Sequence, residues 1–207
     1  MIDIKEFISD VPSFLQTEAY RLPWRVVADL EVIIKRMLPH LGPDYTVENG
    51  IAIHKTATIE KGVTLKSQVI IAEKCQVGAH AYFREGVFLD SSVKIGPSSE
   101  IKSSLIFSST AIAHLNYIGN SIIGSNVNFE AGSIAANHYN EREDKRILVR
   151  FKNELVDTGL EKFGALVGDG SKIGANAVLS PGTILPKGAI VKRLELVEQV
   201  KVKNGNT

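Results

Sequence analysis

Two basic residues and a histidine are separated by multiples of one short interval. Arg84 and Lys102 are eighteen residues apart, and His114 follows twelve residues after Lys102. Neighbouring cations are stabilised by an anion that both can contact, so this pair would suit a phosphate or a carboxylate. A free imidazole titrates near pH ~6.5 and can take a proton from a nucleophile at neutral pH. These residues predict anion binding next to proton transfer, whereas the simpler alternative is solvated surface charges and a structural histidine.

The element that must position these side chains is a repeat of six residues. One apolar residue recurs at this interval: Ile53, Ile59, Leu65, Ile71, Val77, Phe83, Leu89, Ile95, Ile101 and Phe107. A second series, mostly small or β-branched, follows four places after each: Ala57, Val63, Val69, Cys75, Ala81, Val87, Val93, Ser99, Leu105 and Ala111. Neither a helix nor an alternating strand has a period of six residues. A sustained period of six is typical of a parallel β-helix. Three hexapeptides make one coil, so Arg84 and Lys102 should point outward from one face, about 5 Å apart.

The period slips close to His114 and is later interrupted. Ile118 to Ile123 is a step of five, and polar residues surround it, which predicts a site at this point. Residues 138–164 interrupt the repeat, first as a charged run and then as ILVRF, a Lys-Asn turn and ELVDTG, which predict a hairpin. The inward series then resumes at Val167, Ile173, Leu179 and Leu185, with Ser171, Ala177, Thr183 and Ala189 as partners.

The segment before the repeat predicts a helical appendage. A helix should begin at Pro23 and end near Pro39, with one apolar stripe that docks on the rest of the chain: Trp24, Val27, Leu30, Ile34 and Leu38. We therefore divide the chain into an appendage and linker (1–50), a β-helix with the inserted loop at about 138–164 (51–191), and a tail (192–207). The predicted fold class is all-β, a single-stranded parallel β-helix with a short N-terminal helical segment.

Composition narrows the classes of function. The 24 basic and 23 acidic residues give a net charge of +1, so we expect no general attraction to nucleic acid. No apolar run is long enough to span a membrane, and the N-terminus lacks a signal-peptide core. The single cysteine, Cys75, falls in the small inward series and should be a packing residue. These features predict a cytoplasmic protein.

The stretch AHLNYIGNSIIGSNVNFEAGSIAAN, residues 113–137, resembles a known family of hexapeptide-repeat acyltransferases. It is similar to the acetyltransferase half of the bifunctional N-acetylglucosamine-1-phosphate uridyltransferase / glucosamine-1-phosphate N-acetyltransferase. It also resembles the acetyltransferase half of the archaeal sugar-1-phosphate nucleotidylyltransferases. The resemblance implies left-handed coiling, a homotrimer with the site between neighbours, and acetyl-CoA as co-substrate. It also implies a role in nucleotide-sugar biosynthesis for the cell envelope.

The resemblance also implies a role for each matching residue. His114 would be the general base that takes a proton from the 2-amino group of glucosamine- or galactosamine-1-phosphate, and the backbone N–H of Ala131 would contact the oxyanion. The remaining matches would bind the sugar, its phosphate or the acetyl group: Arg84, Lys102, Tyr117, Asn128, Asn137 and Lys162, with Lys145 as the alternative to Lys162. Ala175 stands where the family has a serine near the pantetheine of CoA, which makes it a weak cofactor-binding match.

Other functions are left open by the sequence. The chain could acylate a nucleotide-linked amino sugar, or it could be a non-catalytic partner of a separate sugar nucleotidyltransferase. Residues 1–45 lack a glycine-rich nucleotide loop, so we expect no nucleotidyltransferase activity. The zinc site of γ-class carbonic anhydrases needs a second histidine five residues after the first, and Gly119 stands five residues after His114. We therefore expect no metal.

Overall fold

Three faces of short parallel strands stack along residues 51–197 in the computed structural model, which describes residues 2–15 and 22–201. Face A is a seven-stranded sheet: Thr58–Ile59, Gln76–Val77, Lys94–Ile95, Ala111–Ile112, Asn128–Phe129, Lys172–Ile173 and Ile190–Val191. Faces B and C belong to one 13-stranded sheet, because Tyr82–Leu89 and Glu100–Ile106 each bend from one face to the next. The predicted parallel β-helix is confirmed, and its left-handed coiling stays a prediction.

Faces B and C follow face A in each coil. The strands of face B are Thr64–Leu65, the first parts of Tyr82–Leu89 and Glu100–Ile106, Tyr117–Gly119, Ile134–Ala135, Val178–Leu179 and Leu196–Val197. The strands of face C are Ile51–His54, Val69–Ile71, the second parts of Tyr82–Leu89 and Glu100–Ile106, Ile122–Ile123, Ala165–Val167 and Thr183–Leu185. Tyr45–Glu48 pairs antiparallel with Ile51–His54 at the N-terminal end of face C. We call the turn between faces A and B the AB corner, and the turn between faces B and C the BC corner.

The inward series fills the prism as predicted up to Ile101 and is then displaced by one residue. Ile106 enters this core and Phe107 packs outside it, so the prediction for Phe107 was wrong. The second series shifts likewise: Ser104 and Thr110 are fully buried, whereas Leu105 packs outside and Ala111 is half-buried. The cause lies at the BC corner, where Arg84 aligns with Lys102 but Val87 aligns with Ser104. The slip therefore begins one coil before the step from Ile118 to Ile123.

The outer side of face C is apolar because other segments of the chain cover it. Its outward residues form one core with the N-terminal segment and the inserted loop: Ala52, Ile70, Phe88, Leu105, Ile122, Leu166 and Ile184. Trp24 is 2% exposed, and its ring meets that of Phe163 edge-on at 5.9 Å. The predicted docking of the apolar stripe is confirmed: Trp24, Val27, Leu30 and Ile34 are buried and Leu38 is partly buried.

The predicted single helix is two helices. Helix α1 covers Pro23–Ala28 and α2 covers Leu30–Met37, followed by a 3-10 turn at Leu38–His40. The break is at Asp29, whose backbone (φ −97°, ψ 7°) leaves the helical region. Earlier in the chain, 3-10 turns occupy Ile4–Glu6 and Ser13–Leu15. Among the described residues, no helix is long and apolar enough to cross a membrane.

The inserted loop leaves the β-helix at the BC corner. The predicted hairpin is confirmed as Leu148–Phe151 paired antiparallel with Glu154–Asp157, and both turn residues, Lys152 and Asn153, have positive φ. Near the C-terminus, Leu196–Val197 pairs in parallel with Val178–Leu179, so face B continues into the segment assigned to the tail. The division of the chain into domains stays a prediction. Residues 202–207 of that tail lie outside the described residues.

Candidate active site

Arg84 and Lys102 are aligned partners at the BC corner, as their spacing predicts. The side chain of Lys102 is 6% exposed, and its Nζ lies 2.9 Å from Oε2 of Glu85. Arg84 donates from Nη1 to Glu85 and from Nε to Glu100, both at 2.7 Å. Burial alone would raise the pKa of Glu85, but the bonds from Lys102 and Arg84 outweigh it, so this pKa is lowered. The two cations therefore already contact a carboxylate.

Tyr117 and Asn137 belong to the same group of residues. Burial raises the pKa of Tyr117 and Glu100 acts in the same direction, while Arg84 and the side chain of Asn137 oppose it. Asn137 is 4% exposed and donates from Nδ2 to Oδ1 of Asn120 at 2.6 Å. The BC corner thus combines two cations, a phenol and a buried amide, which is a suitable set for a polar, anionic ligand.

Lys162 lies at the base of the inserted loop, close to this corner. The backbone N–H of the next residue, Phe163, donates to the carbonyl oxygen of Asn137 at 3.0 Å. Lys162 itself is exposed. Lys145 lies earlier in the loop, before the first strand of the hairpin, and is also exposed. The loop therefore begins and ends beside the residues of the BC corner.

His114 and Ala131 lie at the AB corner in successive coils. The carbonyl oxygen of His114 accepts a hydrogen bond from Gly132 at 3.0 Å, which holds the two turns together. His114 is exposed, and the next residue, Leu115, is 66% exposed with a φ of +58°. The arrangement presents an imidazole one coil away from the amide of Ala131.

Ala175 occupies the next turn of the same corner. Its N–H donates to Oε2 of Glu130 at 2.9 Å. Glu130 in turn accepts two bonds from Arg193, at 2.9 and 3.0 Å, and these bonds lower its pKa. The backbone N–H of Ala175, the residue predicted as a weak cofactor-binding match, is thus already hydrogen-bonded within the chain.

Two shallow grooves run along face A toward this corner. One ends at His114 and passes over Gly78 and Gly96. The other holds Asn128 together with basic side chains of the last coils: Lys172, Lys192 and Arg193. The basic side chains of the second groove could pair with the negative phosphates of a cofactor. In the described part of the chain, no group of three His, Cys, Asp or Glu residues could hold a metal ion.

The predicted residues form two groups rather than one. Arg84, Lys102, Tyr117 and Asn137 lie toward the BC corner, with Lys162 nearby, while His114, Ala131 and Ala175 lie at the AB corner and Asn128 on face A. Face B separates the two groups within one chain. The sequence reading also missed Glu85, Glu100, Asn116 and Asn120, which hold the predicted residues in place. Two stacked cations need an anion between them, and Glu85 directly follows Arg84, so the sequence could have predicted this contact.

The coils and corners define a hexapeptide-repeat parallel β-helix, and the sequence has clear relatives. The family model described as "GMPPB C-terminal domain" matches residues 47–134. The chain is 35% identical over 183 residues to the "Bifunctional protein GlmU" of Methanococcus vannielii, covering 86% of the chain and 43% of that protein. It is 30% identical over 184 residues to the "Bifunctional sugar-1-phosphate nucleotidylyltransferase/acetyltransferase" of Sulfurisphaera tokodaii, covering 83% and 45%. The resemblance stated from the sequence is confirmed.

Both relatives are longer proteins, and the chain spans less than half the length of each. Among solved structures, the chain is similar to the acetyltransferase domain of PglB from Neisseria gonorrhoeae. The TM-score is 0.44 at 15% identity, over 79% of this chain and 63% of that one.

Proposed function

We propose that the chain transfers the acetyl group of acetyl-CoA to the 2-amino group of an amino-sugar 1-phosphate, either glucosamine- or galactosamine-1-phosphate. The observation that carries the proposal is the grouping of side chains at the two corners. One corner holds cations and polar groups suited to a sugar phosphate, and the other holds an imidazole beside an amide. The similarity to bifunctional proteins named for an acetyltransferase supports the same conclusion.

In this mechanism each group has one task. Arg84, Lys102 and Tyr117 bind the phosphate, while Asn137 and Asn128 orient the sugar and the acetyl group. The amine attacks in its neutral form, because its lone pair forms the new N–C bond, and His114 takes the N–H proton that becomes acidic as this bond forms. The N–H of Ala131 stabilises the oxyanion of the tetrahedral intermediate. No covalent enzyme intermediate is required, and no step needs a metal.

The proposal includes a homotrimer, because face B separates the two corners in one chain. In a closed ring of copies, the AB corner of one chain can approach the BC corner of its neighbour. The exposed Leu115, adjacent to His114, would gain from burial against a neighbour. A cytoplasmic location is part of the proposal, supported by the single cysteine, which cannot form a disulfide within the given sequence.

A second candidate acceptor is a nucleotide-linked amino sugar. Arg84 and Lys102, which contact the Glu85 carboxylate, could bind the diphosphate of such a sugar as well as a 1-phosphate, because both ligands present phosphate oxygens. A role as a non-catalytic partner of a nucleotidyltransferase, docked through the N-terminal helices, is less well supported. The apolar stripe of those helices is buried against face C of the same chain.

One assay tests the proposed function directly. Release of the CoA thiol from acetyl-CoA should be measured against a panel of amino-sugar 1-phosphates, UDP-linked amino sugars and the corresponding N-acetylated sugars as blanks. Turnover with a sugar 1-phosphate supports the proposal, and turnover with UDP-linked acceptors alone favours the second candidate. We expect no pyrophosphate release from UTP and a sugar 1-phosphate, and release by the pure chain would contradict that expectation. Thiol release equal to the blanks with every acceptor would contradict both acyltransferase functions.

A further inference from the structure

Asn116 is a polar residue inside the β-helix, directly beneath the AB corner. It belongs to the small inward series and is 3% exposed, with Ser99 and Ser133 in the coils on either side. Its Nδ2 donates to the carbonyl oxygen of Glu130 at 2.8 Å and to Oγ of Ser133 at 2.7 Å. Asn116 therefore joins the turn that carries His114 to the turn that carries Ala131.

One side-chain atom of Asn116 lowers the stability of the protein. Its Oδ1 is buried and has no hydrogen-bond partner within residues 2–15 and 22–201. A buried polar atom without a partner lowers stability, and the serines of the neighbouring coils show that a smaller polar side chain fits this column. A requirement other than packing is therefore indicated for the longer amide of Asn116.

The bonds from Asn116 fix the orientation of one peptide plane. The carbonyl oxygen of Glu130 also accepts a bond from Oγ of Ser133 at 2.7 Å, so two buried donors hold it toward the interior. In a planar trans peptide the C=O and N–H point in opposite directions. The other half of this peptide is the N–H of Ala131, which must therefore point outward.

Two equivalent turns show what such an outward N–H meets. The N–H of Ala79 donates to Glu60 at 2.7 Å, and that of Ala175 donates to Glu130 at 2.9 Å. In each case the carboxylate comes from the preceding coil. For Ala131 that position is occupied by Ala113, which has no carboxylate, and the N–H of Ala131 has no partner among the described residues.

We propose that Asn116, assisted by Ser133, is a positioning residue that holds the Ala131 N–H toward the oxyanion of acyl transfer, an inference that rests on the proposed function. In that step the amine nitrogen bonds to the thioester carbonyl carbon, and the carbonyl oxygen takes the negative charge. When the intermediate collapses, the C–S bond breaks and the CoA thiolate receives the proton that His114 took from the amine. The oriented N–H is present before the charge develops.

Three variants and one matched control separate positioning from folding. Asn116→Ser copies the neighbouring coils and should fold, Ser133→Ala removes the second donor, and the double variant frees the Glu130 carbonyl. Ser171→Ala is the control, because Ser171 is fully buried and donates to the carbonyl three residues before it at 2.7 Å, as Ser133 does. The turn that Ser171 holds carries none of the residues assigned to the site.

Loss of a positioning residue should lower kcat and leave the Michaelis constants nearly unchanged, which a purely structural role would not do. In the double variant we expect kcat to fall roughly 10- to 100-fold, because loss of one oxyanion donor costs up to about 10²–10³. The Michaelis constants for both substrates should change less than about threefold, and the acidic limb of the pH–rate profile should remain. Ser171→Ala should keep wild-type kcat. An unchanged kcat in the folded double variant, or an equal loss in Ser171→Ala, would overturn the proposal.

A second measurement does not depend on turnover. In wild-type protein with ¹⁵N-labelled alanine, the Ala131 amide should exchange with water faster than those of Ala79 and Ala175, and the double variant should shift the Ala131 signal. If Ala131 exchanges as slowly as the other two, or its signal stays in place, the peptide is not held as proposed. If the wild-type chain transfers no acyl group, the proposed function fails, and this measurement alone decides whether Asn116 orients the peptide.

Discussion

At the scale of single residues, Glu85 determines how strongly the BC corner can bind an added anion. Its backbone has a φ of +58°, which is unfavourable for a non-glycine residue, and its carboxylate contacts both Arg84 and Lys102. A phosphate that binds these cations must displace this carboxylate or share them with it. Glu85 therefore acts as an internal competitor for the acceptor.

Replacing Glu85 should strengthen phosphate binding. In Glu85→Gln we expect the dissociation constant of inorganic phosphate to fall about two- to tenfold, because the negative charge that both cations contact is removed, while Arg84 keeps its bond to Glu100. The change can be measured by titration calorimetry near neutral pH. Glu73→Gln is the matched control, since Glu73 is an exposed carboxylate paired with Lys74 at 3.9 Å and its loss changes the net charge equally. Equal effects in both variants would show that overall charge, not this contact, is responsible.

The ion pairs of Glu85 also make the stability of the folded protein depend on pH. The pKa of Glu85 is lowered in the folded state, so its contacts stabilise the protein above its ordinary titration range and are lost as the pH falls through the lowered value. The melting temperatures of wild type and Glu85→Gln should therefore differ at neutral pH and converge in acid. A difference that stays constant down to acid pH would show that the carboxylate contributes no charge-dependent stability.

Replacing His114 should reduce turnover without unfolding the chain. The side chain is exposed at the AB corner, so His114→Ala should leave no cavity and keep the melting temperature. If the imidazole is the base, kcat should fall roughly 10²- to 10⁴-fold and the acidic limb of the pH–rate profile should disappear. Turnover and melting temperature should be measured on one preparation. A folded variant with wild-type turnover would rule out the histidine as base.

At the scale of elements, the glycines of the AB corner control how closely its successive turns can approach each other. A Cβ on Gly96 would collide with the carbonyl oxygen of Ala113, the residue before His114. We expect Gly96→Ala to destabilise the protein by about 1–3 kcal/mol, or roughly 2–12 °C in melting temperature, and to displace His114. Gly42→Ala is the control, because nothing lies within 4 Å of its added Cβ. An unchanged melting temperature and turnover in Gly96→Ala would show that the turn can move without loss.

The hexapeptide period predicted the elements well, but it could not locate every register change. Phe107 continues the count of six as an apolar residue, yet Ile106 is the one that enters the prism. Both are apolar because face C is buried on its outer side too, and a period alone does not distinguish the two environments. The stacking of Arg84 on Lys102 follows from eighteen-residue coils, whereas the bond from Asn116 to Glu130 depends on side-chain geometry that no spacing reveals.

At the scale of the whole molecule, the separation of the two corners makes the homotrimer testable by complementation. His114→Ala and Arg84→Ala should each be impaired when assayed below the Michaelis constant of the acceptor. If a site takes His114 from one chain and Arg84 from its neighbour, random mixing at equal amounts should restore roughly one site in four. Activity should be measured after the two variants are unfolded and refolded together. Light scattering that finds a monomer, or mixed chains with no restored activity, would contradict the shared site.

The attachment of the N-terminal segment to the far end of the β-helix has a consequence for biosynthesis. Asp169 donates its N–H to the carbonyl oxygen of Phe7 and accepts from Ser9, and Lys187 also donates to Ser9. Stacked coils normally fold by contacts between neighbours, each as soon as the next is made. Here Phe7 and Ser9 are synthesised about 160 positions before Asp169, an interval of roughly 8–32 s at about 5–20 residues per second. During that interval the segment that covers part of face C lacks these partners, so we expect the nascent chain to need a chaperone most before its last coils are synthesised.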